Sequence, residues 1–118
     1  MRAIPAKLLV HSCTLRKRTG RDRDRNPEYT ETVLRRVRIG ATFQTVRGNT
    51  GETKADTLTL IIDAKNTRYE TADGGESAAV LPEELDAVEW QGRTFTVRSV
   101  MPCYAQGATP HHWEVTLE

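Results

Sequence analysis

Apolar and polar residues alternate with a two-residue period along much of this chain, and nowhere do they hold the three-to-four-residue spacing of an amphipathic helix of ordinary length. Residues 8–17, LLVHSCTLRK, set Leu9, His11, Cys13 and Leu15 on one face and Val10, Ser12, Thr14 and Arg16 on the other, the pattern of a half-buried strand. Residues 29–41 place Val33, Val37 and Ile39 on one side, interrupted by Arg35, and Leu34, Arg36 and Arg38 on the other. A helix through Val33, Leu34 and Val37 would fit the spacing, but the β-branched content favours a second strand, which residues 42–46 could extend. In residues 56–64 Leu58, Leu60 and Ile62 alternate with Thr57, Thr59 and Ile61, the cleanest strand in the chain.

Residues 88–97 carry the most specific local signal. Gln91-Gly92 supplies a residue that tolerates positive φ followed by glycine, as a two-residue hairpin loop requires, with Val88 and Trp90 alternating on one arm and Phe95, Val97 and Ser99 on the other. Pro102 ends the second arm, residues 103–110 connect, and a last strand at 112–117 turns Trp113, Val115 and Leu117 inward. Between the strands, residues 18–28 lack any large apolar side chain before Asn26-Pro27 and read as a charged loop. Residues 47–55 form a second polar loop and residues 65–79 a third, loop or irregular edge. Pro82, Glu83 and Glu84 stand where the first turn of a short helix at 81–86 would place them, but six residues cannot be a stable helix by themselves. About six strands and at most one short helix predict an all-β single domain over residues 1–118, a small antiparallel β-barrel with long polar loops, because closure removes exposed edges.

Composition narrows the function. At 118 residues a two-lobed enzyme is improbable, and no stretch approaches the apolar length of a membrane span or a signal segment, so a soluble, unexported protein with no membrane partner is expected. Cys13 and Cys103 lack local metal-site spacing and read as reduced thiols. The net charge of +1 conceals an asymmetry. Residues 1–47 hold 12 bases and 4 acids, whereas the remainder holds 5 bases and 12 acids. Such halves suit either nucleic-acid contact or subunits that pack basic edge against acidic edge.

The chain carries no phosphate loop, no HExxH, no GxSxG and no CxxC. One metal or thiol site can be constructed, with His11 and Cys13 on one strand face and Cys103 and His111 or His112 flanking a connection, but buried cysteines and surface histidines explain the same residues more simply. No catalytic residue, no cofactor and no metal are expected. Asp63, Glu83, Glu84 and Asp86 bracket turns, where carboxylates usually cap or solvate. Arg16, Lys17, Arg18, Arg21, Arg23 and Arg25 form the strongest basic set, diluted by Asp22 and Asp24 and lacking aromatic residues for base stacking. The set suits duplex DNA without sequence specificity, or an acidic protein surface.

The opening Ile4-Pro5-Ala6-Lys7-Leu8-Leu9 with His11, the Val37-Arg38-Ile39 strand, the stretch from Asp86 through Trp90, Gln91, Gly92 and Phe95 to Val97, and the ending Pro102-Cys103-Tyr104 to His112-Trp113-Glu114-Val115 resemble the minor capsid, or head-tail joining, proteins of tailed bacteriophages and prophages. Leu85 stands where that pattern usually has glycine before the acid. The resemblance implies a head-completion connector, assembled in the bacterial cytoplasm and residing in the virion as a ring under the portal. It would extend or close the DNA channel in the manner of a stopper and offer the tail its attachment surface. Its partners would be further copies of itself, portal or adaptor proteins of the head, tail terminator or tail proteins, and duplex DNA in transit. The counterpart of a channel-facing loop would be Arg47, Gly48, Asn49, Thr50, Gly51, Glu52, Thr53, Lys54 and Ala55. A small nucleic-acid-binding barrel is the alternative, and a metal- or thiol-dependent enzyme using His11, Cys13, Cys103 and His112 a more distant one.

Overall fold

A computed structural model of the chain describes residues 3–21, 23–25, 27–41, 57–105 and 107–118. After a 3-10 turn at Ala6–Leu8 come seven strands: β1 His11–Arg21, β2 Pro27–Ala41, β3 Leu58–Asp63, β4 Arg68–Thr71, β5 Ala87–Trp90, β6 Arg93–Cys103 and β7 His112–Leu117. Six of them pair in the order β1-β5-β6-β7-β3-β2, and β2 pairs back onto β1, which closes an antiparallel barrel. β4 is added outside that circuit, on β2.

Closure works because the alternating apolar positions all find one interior. Leu15, Leu34, Val37, Leu60, Ile62, Val88, Val97, Val115 and Leu117 are wholly buried, joined by Cys13, Ile39 and Phe95, with Trp90, Trp113 and Tyr69 packed at the margins. β1, β3, β5 and β7 follow the alternation read from the sequence, whereas β2 departs from it. Thr32, Leu34, Val37 and Ile39 are buried and Val33 is only partly so, so the inward set changes phase in mid-strand. Arg36 is the cause. Ser12 faces Arg35 and His11 faces Val37, leaving Arg36 as an extra residue at φ 62°. One extra residue inverts every later side chain, and this β-bulge makes Leu34 and Val37 point the same way. β6 repeats the device at Arg98, since Val97 faces Leu117 and Ser99 faces Thr116. Val100 therefore packs against the core and Ser99, expected inward, is exposed.

The bulge in β2 is clasped from outside. Thr67 Oγ1 donates to the Arg36 carbonyl at 2.8 Å and accepts from the Asp63 amide at 2.9 Å. Asp63, itself buried, accepts from the amides of Lys65 and Asn66 at 3.0 and 2.8 Å, capping the turn, and from the Ile4 amide at 3.0 Å. Asn66 Nδ2 donates to the Ile4 carbonyl at 2.7 Å. One carboxylate thus fastens the N-terminal segment, the β3–β4 turn and, through Thr67, the bulge.

Two segments take definite form. Within residues 65–79, expected as loop or irregular edge, Arg68–Thr71 pairs with Thr32, Val33, Leu34 and Arg35 as the edge strand β4. Residues 81–86 form a turn. Asp86 Oδ2 accepts from the Glu83 amide at 2.8 Å, the Leu85 amide donates to Val97 at 2.8 Å, and Leu85 takes φ 78° with its side chain 79 % exposed. These tertiary bonds replace the one helical turn that six residues could offer.

Trp90 and Arg93 close the β5–β6 hairpin, with Gln91 at φ 52° and Gly92 at φ 76°, the signature of a type I′ turn. A Cβ at Gly92 would meet no atom within 4 Å, so substitution there tests the backbone alone. Gly92→Val is expected to lower the unfolding free energy by about 1–2 kcal/mol, and Gly92→Asn by less, since asparagine tolerates the left-handed region. Urea denaturation of the two variants checks this, and equal stability of Gly92→Val and the parent would refute the turn assignment.

Candidate functional site

Arg16, Lys17, Arg18 and Arg21 lie on a strand of a ribbon, and Arg23 and Arg25 in the turn beyond it. β1 continues to Arg21 and β2 begins at Pro27, and the ladder between them runs from the barrel to the Arg21–Pro27 pair. β5 covers β1 only at Thr14, Leu15 and Arg16, and β4 covers β2 only from Thr32 onward. Beyond those points, among the described residues, each strand has only the other. Periodicity missed this segment because a two-stranded ribbon solvated on both faces has no apolar side to reveal its register.

The inner cations of the ribbon brace the subunit. Arg16 Nε lies 3.3 Å from Glu31 and its Nη1 3.8 Å from Glu89, with the guanidinium 5.0 Å from the centre of the Tyr29 ring. Lys17 Nζ donates to the Leu81 carbonyl at 3.1 Å and to Glu83 and Asp86 at 3.0 Å each. Burial acts to lower the Lys17 pKa, and the hydrogen bonds and charges of Glu83 and Asp86 outweigh it, so the ammonium titrates above its ordinary range. Arg18, Arg23 and Arg25 are exposed farther out, around the turn. Arg16 and Lys17 are thereby committed to intramolecular pairs.

Residues 47–55 lie outside the described residues, but their frame is described. Ala41 and Leu58 face each other across the β2–β3 ladder, so the chain leaves and re-enters the barrel at one place. That place is the end of β2 opposite the ribbon. A charged cleft opens beside the bulge, with a volume near 650 Å³ and walls that include Arg35, Arg36, Arg68, Tyr69, Glu70 and Glu76. Burial first, and the Asp63 charge second, push the Tyr69 hydroxyl up to about 12, so it stays protonated there.

The four-residue metal or thiol set does not come together as the sequence suggested. His11 stacks edge-on against Trp90 at 5.3 Å and accepts the Ile39 amide at Nδ1, 3.0 Å away. Cys13 is in the core, where burial pushes its thiol up to about 12. β5 separates its strand from β6, which carries Cys103. Cys103 and His112 are brought together, directly opposite each other, and Glu114 completes a cluster that the sequence reading missed. The signal was present, because Glu114 is two residues from His112 and so on the same strand face. Burial first, then the Glu114 charge and hydrogen bond, raise the Cys103 thiol above its usual value, the reverse of an activated nucleophile.

The Lys17 clamp gives a stability test. Lys17→Met leaves the Asp86 carboxylate, 8 % exposed, with the Glu83 amide as its remaining described partner, and should cost about 1–3 kcal/mol, whereas Arg18→Met should change stability by no more than about 0.5 kcal/mol. Chemical denaturation of both variants measures the difference, and equal stabilities would show that the clamp is idle.

No curated protein and no solved structure showed a match to the chain. The minor capsid protein family does match, over residues 5–117. With a β-barrel closed by that same span, and the hairpin and final strand standing where the resemblance placed them, the chain belongs to the minor capsid protein family and is a structural component of a phage virion.

Proposed function

We propose that the protein is a head-completion connector, a subunit of a ring under the portal that extends or closes the DNA channel and presents a surface to the tail. The observation that carries this reading lies at the two ends of β2. A charged ribbon projects at one end, and at the other Ala41 and Leu58, which bracket the sequence stretch holding residues 47–55, are paired side by side. A ring subunit needs such a division, one element for the lumen and another for neighbours, on a frame that stays rigid. Opposite charge in the two halves of the chain supports a heterologous contact that closes by rotation. Part of that charge is used within the subunit, in the pairs Arg16–Glu89, Lys17–Glu83, Lys17–Asp86 and Arg35–Glu70, so the steering falls to the remaining exposed arginines and acids.

Residues 47–55 are assigned the channel-facing role and the ribbon tip the contact with portal or DNA. Replacing residues 47–55 by a tight turn should leave folding and portal docking intact while packaged DNA leaks from tailless heads. Replacing residues 19–26 by Asn-Gly, which keeps Lys17 in place, should leave DNA retained and weaken docking. Leakage from the second variant alone would transfer the closure role to the ribbon, and leakage from neither would overturn the stopper reading. Raised salt should slow ring or portal association more than it lowers subunit stability, because exposed pairs steer encounter while apolar contact supplies affinity. Sedimentation at two salt concentrations, with and without portal, reads this directly, and salt-independent association would remove the electrostatic part.

A further inference from the structure

The outer face of β6 and β7 carries a donor set that the connector reading leaves unused. We propose that Cys103, His112 and Glu114 form a binding site for a divalent transition-metal ion of the zinc class. Their ligand atoms, a thiol sulfur, an imidazole nitrogen and a carboxylate oxygen, all lie within 4.8 Å of one another. Tetrahedral zinc bonds of roughly 2.0–2.3 Å place neighbouring donors about 3.5 Å apart, so the trio has to contract by about an ångström. Glu114 is exposed and can supply that by rotation of its side chain, while Cys103 and His112 are half-buried on fixed backbone. Their strands are paired at that point, the His111 amide donates to the Cys103 carbonyl at 2.7 Å, and the Ala64 amide donates to the His111 carbonyl at 3.1 Å.

The histidines supply the orientation. His112 Nδ1 lies 2.9 Å from His111 Nδ1, and His112 Nε2 lies 3.2 Å from Glu114 Oε2. When His112 donates its Nδ1 proton to His111, the Nε2 lone pair faces the carboxylate, and a cation between them converts that repulsion into coordination. His111 then serves as the outer partner that fixes the ring and its tautomer. Thiolate, imidazole and carboxylate together select a zinc-class ion over magnesium or calcium, which take oxygen donors. Binding exchanges the Cys103 thiol proton, released to water, for a metal–sulfur bond, with no change of oxidation state. Water fills the fourth tetrahedral position. Because Cys103 and His112 bound the connection through residues 104–111, an ion there staples its two ends.

Titration of the reduced full-length protein with cobalt(II) tests the site without reference to ring or portal, so its failure and that of the connector reading are separable. One equivalent of cobalt should bind with a thiolate-to-cobalt charge-transfer band, and zinc should displace it. The band should vanish in Cys103→Ser and persist in Cys13→Ser. Glu114→Gln, at an exposed position that leaves the fold intact by circular dichroism, should weaken binding by about tenfold or more. Absence of the band in the parent protein, its survival in Cys103→Ser, or unchanged affinity in Glu114→Gln would overturn the proposal.

Discussion

Everything in this barrel depends on one extra residue in β2. That strand is shared by three others, with β1 along one edge and β4 and then β3 along the other, and Arg36 stands where the second edge changes partner. Without the bulge, either Leu34 or Val37 would face water, and the ladder to β1 or the ladder to β3 would lose its core. A non-glycine residue at positive φ costs about 1–2 kcal/mol, and the burial of two large side chains outweighs it. The Thr67–Asp63 clasp then holds the strained carbonyl and ties it to the N-terminal segment, so the same bonds that secure the bulge set where the chain begins its first strand.

The ribbon draws its rigidity from a different source. It has no core, and its base is fixed by Lys17 reaching the 81–86 turn and Arg16 reaching Glu31, Glu89 and Tyr29. The contacts to Glu83, Asp86 and Glu89 join the basic N-terminal half to the acidic remainder inside one subunit. Part of the asymmetry seen along the sequence is therefore neutralised within the subunit.

How much of this the sequence disclosed follows a physical line. Strands with one face in the core were readable, because period-two alternation is the direct trace of one-sided burial: β3, β7 and the hairpin at Gln91-Gly92 stand as expected. The phase of β2 was not readable, since Arg36 carries no glycine to announce a bulge. The outer ribbon and β4 were missed because neither owes its existence to an apolar face. Residues 81–86, too few for a stable helix of their own, are bent into a turn by their bonds to Lys17 and Val97. At the candidate cluster, Cys103 and His112 were visible as partners across a connection, while Glu114 joins them through the strand period that puts it on the face of His112.

The pairing of Ala41 with Leu58 has a consequence for how such a protein can change. Once two strand ends are clamped side by side, the entropic cost of the chain between them grows only with the logarithm of its length. The barrel accordingly behaves as a mount with an interchangeable fitting: residues can be added, removed or replaced between those ends while the core, the bulge and the ribbon stay as they are. Selection can then act on the fitting at the pace of whatever it meets, and on the mount at the much slower pace of a close-packed interior.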